Sequence, residues 1–146
     1  MIRIAFYGRV STEDQQDPAA SRSWQVSRSR HVIGDAGKIV TEYFDLGVSR
    51  STRWKDRPEG ARLLHDLGRH DRPFDAVVIG EPQRAFYGEQ FALTFGVFTM
   101  HGVPLWVPEV GGPIDPGSEA HDLVMNLFAG MGRANVSGSS SVSARP

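Results

Sequence analysis

The chain has no cysteine among its 146 residues. That absence excludes disulfides, thiolate metal sites and cysteine nucleophiles together, and it fits a reducing cytosol. A long apolar run is also missing. The opening stretch MIRIAFYGR stops being apolar at Gly8 and Arg9, too short for a signal-peptide core. No later run approaches the ~20 apolar residues of a membrane span. The expectation is a cytoplasmic protein with no membrane partner. Basic excess is the third thing lacking: 16 Lys and Arg face 17 Asp and Glu, a net charge of −1. Affinity for nucleic acid rests largely on neutralised phosphates. If these residues act on DNA, most of the grip is expected to come from a segment not present here. Bound alone, they should hold DNA only weakly.

What is there is enough chain for one domain. At this length folding buries roughly two-thirds of the unfolded surface, so a proper core is possible. Ile2 to Tyr7 reads as a short buried strand ended by Gly8. The stretch Ser11-Thr12-Glu13-Asp14-Gln15 carries a capping-box pattern, and Pro18 suits the first turn of a helix running to Ile33, with Gly34 as its stop. Ile39 to Phe44 is a second strand by β-branched and aromatic content, with Asp45 at its end. Residues 46–57 are polar and read as a mobile loop. Pro58 opens a helix with Ala61, Leu63, Leu64 and Leu67 on an apolar face.

Phe74 to Ile79 is a third strand, Gln90 to His101 a helix, and Val103 to Val107 a fourth strand. Residues 111–117 read as loop. Asp115 or Ser118 caps a last helix that carries Leu123, Val124, Leu127, Phe128 and Met131. Strand and helix alternate throughout, which predicts an α/β fold: a mostly parallel sheet covered on both faces. From residue 134 the chain is Ser-rich without apolar period, so 134–146 is expected to be a disordered tail.

Sites in such sheets lie at the carboxyl ends of the strands. Three polar clusters fall there: Arg9-Ser11-Gln15, Asp45 with its loop to Arg57, and Gln83-Arg84. Ser11 is a candidate nucleophile, but a serine hydroxyl needs activation. The five histidines (31, 65, 70, 101, 121) lie in or beside helices, away from strand ends, which argues against a Ser-His-Asp arrangement. The strand ends carry arginine instead. Arginine stays charged and forks onto phosphate oxygens, and fixed cations stabilise the charge that builds when a phosphodiester is attacked. Serine with several arginines, with no histidine and no metal cluster beside them, points to phosphoryl transfer, and no cofactor is expected. Bland roles stay open: Ser11 as a helix cap, Asp45 as a loop cap or phosphoacceptor, Arg9 and Arg57 as solvated charges, and Arg84 as a partner of Glu81.

The segment Tyr7-Gly8-Arg9-Val10-Ser11-Thr12-Glu13-Asp14-Gln15 resembles the Tyr-x-Arg-Val-Ser-Thr-x-x-Gln signature of the serine site-specific recombinases: resolvases, invertases and large serine integrases. Asp45-Leu46-Gly47-Val48-Ser49, then Arg57-Pro58 and Leu63-Leu64, is similar to the family's second block. Arg84 matches the first arginine of its Asp-Arg-x-x-Arg block. The resemblance covers about residues 2–133 and implies a three-layer αβα catalytic domain. It implies that Ser11 attacks a DNA phosphodiester, forming a 5′-phosphoserine link, and that Arg9, Arg57 and Arg84 clamp the phosphate while Gln15 and Asp45 order the site. It further implies DNA as partner, a homodimer joined through the last helix, and a tetramer in the active parent.

Three features depart from the pattern. Gln83 stands where the family has Asp, and Tyr87 where its second arginine belongs. The charged helix expected after residue 131 gives way to Met131-Gly132-Arg133 and the Ser/Gly tail, and no DNA-binding domain is expected within these 146 residues. Two functions compete: a DNA strand-transfer domain, favoured by the Arg9-Ser11-Gln15 set, and an inactive module kept for self-association or regulation. A receiver-type phosphoacceptor at Asp45 lacks the acidic pair after strand one.

Overall fold

The computed structural model describes residues 1–11, 17–87 and 89–129. Among these residues, five strands and five α-helices follow in the order β1 (Ile2–Val10), α1 (Pro18–Ile33), β2 (Gly37–Leu46), α2 (Pro58–Leu67), β3 (Ala76–Ile79), the single-turn α3 (Pro82–Ala85), α4 (Gln90–Met100), β4 (Leu105–Val107), β5 (Gly112–Pro113) and α5 (Glu119–Ala129). The sheet order is β2-β1-β3-β4-β5. The first four strands run parallel, and β5 pairs antiparallel with β4 through Trp106–Pro113 and Val107–Gly112. The expected α/β class and mostly parallel sheet are therefore present. Residues 111–117, read as loop, contribute the short β5, whose Gly-Pro sequence carries no strand signal.

Alternation along the central strands sorts the core into two layers. Ala5, Tyr7, Val77, Ile79, Leu105 and Val107 face α2, α4 and α5, where Leu63, Leu67, Phe91, Phe98 and Met125 complete one cluster. Ile4, Phe6, Ala76, Val78 and Trp106 face α1, which offers Val26 and Ile33. Period-two side-chain placement produces this three-layer arrangement from continuous apolar strands.

α1 keeps the expected bounds, but its buried stripe is polar: Ser21, Gln25 and Ser29 join Val26 and Ile33. That stripe lets the helix lie close to the sheet. A Cβ added at Gly80 would sit 2.1 Å from the Gln25 carbonyl oxygen and 2.9 Å from Ser29 Oγ. Gly80→Ala should therefore force α1 outward and cost about 2 kcal/mol, the usual scale of overpacking. Thermal denaturation should show a fall in melting temperature of roughly 6 °C. An unchanged melting temperature would mean the helix–strand approach is looser than described.

β1 runs past Gly8, where the sequence reading stopped it. Gly8, Arg9 and Val10 pair with Phe44, Asp45 and Leu46 of the equally lengthened β2. This extension carries Arg9 and Asp45 side by side to the carboxyl edge and delivers Ser11 immediately beyond it. The last helix is capped as expected: Ser118 Oγ accepts the amide of His121 at 3.2 Å.

Among the described residues no helix is long and apolar enough to cross a membrane. The expectations for Gln15, Met131, Arg133 and the tail 134–146 lie outside the described residues, as does the side chain of Phe128.

Candidate active site

At the carboxyl edge of β1 and β3 lies an open polar cleft of about 580 Å³. Ser11, Arg9 and Arg84 line it, as do Ser49, Arg50 and Ser51 from the loop after β2. Glu81, Gln83 and Tyr87, from the segment after β3, complete the wall. No histidine is among the described lining residues. Among them, three arginines stand against one glutamate, a positive local balance in a chain whose net charge is −1.

Arg9 is 4% exposed, and its guanidinium bridges two segments. Nε donates to the Arg84 carbonyl and Nη1 to the Val48 carbonyl. Its backbone is held in turn by the buried Gln25, whose Oε1 accepts the Arg9 amide and whose Nε2 donates to the Arg9 carbonyl at 3.0 Å. Gln25 also bonds Ser21 Oγ at 3.1 Å. A side chain on α1 thus fixes the strand end that precedes Ser11. The sequence reading missed Gln25. The signal was the polar residue at i+4 from Ser21 and i−4 from Ser29, facing two glycine-ended strands.

Arg84 sits on α3 and donates from Nε to Glu81 Oε1 at 2.6 Å. The other Glu81 oxygen accepts Trp24 Nε1 at 3.1 Å. A carboxylate anchored from α1 therefore steers the Arg84 guanidinium at the cleft wall. This pairing was one of the open bland roles for Arg84, and here it coexists with a place in the cleft.

Asp45 and Arg57 lie behind the cleft and do not line it. Asp45 is 1% exposed and accepts the amides of Glu59 and Gly60 at 2.8 and 2.9 Å. It is a cap for α2 supplied from the neighbouring strand, where the carboxylate meets the unpaired first-turn amides and the positive helix end. The same carboxylate accepts Tyr7 OH at 2.8 Å. Burial pushes the Tyr7 phenol well above its ordinary pKa; Arg57 opposes the rise and Asp45 adds to it.

Arg57, which the resemblance assigns to the phosphate clamp, lies behind the cleft wall. It is fully buried, and all five of its N–H donors are used. Nε donates to the Thr52 carbonyl at 2.8 Å. Nη1 reaches Tyr7 Oη at 3.1 Å and the Ala85 carbonyl at 2.7 Å. Nη2 reaches the Arg50 carbonyl and Gln90 Oε1, each at 2.8 Å. The guanidinium carbon lies 5.3 Å from the Trp54 ring centroid. A guanidinium taken out of water costs least when every N–H has an acceptor, and this saturation leaves no donor to turn toward the cleft.

The loop at residues 46–57 makes several contacts with the body of the domain. It leaves β2 through Gly47, at φ +77, which glycine adopts without strain. Trp54, 3% exposed, then inserts between Tyr7 and Phe86, with centroids at 4.3 and 5.3 Å, and donates to the Ala85 carbonyl at 3.1 Å. Gln90 Nε2 contacts the carbonyls of Arg50, Ser51 and Thr52 at 3.3 Å. The single tryptophan inside a polar run was the available signal for this anchoring.

A family model described as "Resolvase, N terminal domain" matches residues 4–138 of the chain. No curated protein sequence matches significantly. Among solved structures, the chain is similar to the N-terminal catalytic domain of TP901-1 integrase, at 20% identity, TM-score 0.64 and 99% coverage of both chains. It is also similar to a resolvase family site-specific recombinase from Streptococcus pneumoniae, at 22% identity, TM-score 0.65 and coverage of 99% and 96%. A third likeness is the C-terminal catalytic domain of ISC1926 TnpA, an IS607-like serine recombinase, at 21% identity, TM-score 0.58 and coverage of 98% and 97%. These likenesses show the fold that the sequence implied. The match over residues 4–138 settles kinship as well: the chain belongs to the resolvase family through that family's N-terminal domain.

Proposed function

We propose that this domain breaks and rejoins DNA through Ser11. The observation that carries the reading is a serine sharing one cleft with three arginines, with no histidine among the described lining residues, at the carboxyl ends of two parallel strands. Ser11 Oγ attacks the phosphorus of a phosphodiester. An Oγ–P bond forms as the P–O3′ bond breaks; the serine gives up its hydroxyl proton and the leaving oxygen takes one up, so the 5′ end is held as a phosphoserine, a 3′-hydroxyl is released and no net proton is consumed. Attack by a 3′-hydroxyl on the same phosphorus reverses the link and frees the serine. The bond energy stays in the ester, so no nucleotide triphosphate is required. Arg9 and Arg84 face the equatorial oxygens, where charge builds in the transition state. Asp45, Gln25 and Arg57 act at one remove by fixing the strand ends and the loop, and Gln15 is assigned the ordering role its signature position implies.

The test is covalent trapping. Incubated with its cognate duplex, the full-length protein should yield a protein–DNA adduct, and peptide mapping should place the phosphodiester on Ser11. An adduct mapping to any other residue would overturn the reading.

The proposed partners are DNA and a second copy of the chain, in the cytoplasm. In α5, Met125 is fully buried and Val124 packs on the core, whereas Leu123 and Leu127 are 72% and 64% exposed. The expected apolar stripe thus divides: one side closes the domain's own core, and an i, i+4 pair faces outward. We assign the outward pair to the dimer contact. Sedimentation equilibrium should show dimers that Leu123→Glu with Leu127→Glu converts to monomers. Monomers of the unsubstituted chain at high concentration would refute the assignment.

A further inference from the structure

We infer that Arg50 is the third cationic ligand of the phosphate in this cleft, and that Tyr87 is the residue that positions it. The inference rests on the phosphoryl-transfer reading of the Ser11 cleft and specifies its ligand set. Two positions implied by sequence pattern do not supply that third charge. Arg57 is saturated behind the wall, with five donors on five acceptors. Tyr87 lines the cleft but bears no positive charge.

Arg50 fills the gap from the loop after β2. Its side chain lines the cleft with Arg9, Ser11 and Arg84. Its guanidinium carbon lies 4.9 Å from the Tyr87 ring centroid, a cation–π distance. Nη1 donates to the Gln83 carbonyl at 2.9 Å, which pins one edge of the fork to the segment after β3. Of its five donors, that is the one hydrogen-bonded among the described residues, so the guanidinium retains donor capacity for a ligand. Its backbone is fixed independently, because the Arg50 carbonyl accepts from Arg57 Nη2 at 2.8 Å. The buried arginine thus holds the loop, and the loop presents the half-buried Arg50 to the cleft. An aromatic face is a suitable cradle because it restrains a guanidinium without consuming its N–H donors.

The test uses the 146-residue chain with inorganic phosphate as the probe. Arginine Nε–Hε resonances are followed by ¹H–¹⁵N NMR and assigned by single Arg→Lys variants. The expected result is that Arg50, Arg9 and Arg84 respond together while Arg57 stays unmoved. Arg50→Ala should weaken phosphate binding about tenfold, the scale of a charge-assisted contact. Tyr87→Leu should weaken it about threefold without lowering the melting temperature, and Tyr87→Phe, which keeps the ring face, should restore it. Response of Arg9 and Arg84 without Arg50, or of Arg57 in its place, overturns this inference and leaves the Ser11 reading standing. Silence of all the cleft arginines overturns both.

Discussion

Ser11→Ala protein mixed with cognate DNA is expected to form no covalent complex, a loss on the order of 10⁶-fold in cleavage rate, while DNA affinity and melting temperature stay close to those of the parent. Removing a serine nucleophile deletes the bond-forming atom itself, and losses of that order follow in enzymes that use one. Binding is spared because Arg9, Arg50 and Arg84 still line the cleft. Stability is spared because Ser11 follows β1 at a half-buried position and lies outside both core clusters. The measurements are a gel assay for the adduct, a binding titration and a melting curve on one preparation. Continued cleavage by Ser11→Ala would assign the chemistry to another group. Loss of cleavage together with loss of fold would instead make Ser11 a structural cap, the role left open by the residue pattern.

Arg57→Met is expected to be the most destabilising single change in this region, at about 3 kcal/mol, with a fall in melting temperature of roughly 10 °C. The sign needs argument, because removing a buried charge also removes its desolvation cost. Here the acceptors decide it. The substitution deprives the carbonyls of Thr52, Arg50 and Ala85, as well as Tyr7 Oη and Gln90 Oε1, of a charged donor. Each buried acceptor left short costs about 1–3 kcal/mol, and partial cover by Trp54 Nε1 and Gln90 Nε2 keeps the sum below the simple total. Arg57→Lys should recover only part of the loss, since an ammonium has three donors and no planar fork. The opposite outcome is informative. An unchanged melting curve with cleavage abolished would mean that Arg57 leaves its buried seat to contact the phosphate, as its place in the sequence pattern implies.

The general architecture was legible because it depends on local periodicity. Buried parallel strands read as short apolar runs, and Pro18 and Pro58 mark helix starts whatever the surroundings. The two-residue β5 was not legible, because its strand character comes from pairing with β4 and not from its own residues. The length of β1 was misjudged at Gly8, where a glycine that serves strand pairing looks the same in sequence as one that ends a strand.

The cleft divides along the same line. By itself the sequence determined the chemistry available: a serine and arginines at strand ends, no cysteine, and no histidine near them. It also determined the order of the elements that carry these residues. Which arginine lines the cleft and which is fully buried behind it was decided by the tertiary structure alone. Arg50 and Arg57 are seven residues apart in one polar loop, and nothing in their neighbours says which of the two is buried. The difference comes from acceptors at Tyr7, Ala85 and Gln90, which reach a common point only after β1, α3 and α4 have packed. A guanidinium is buried where five acceptors converge and stays accessible where one does, and that convergence is a property of the assembled fold.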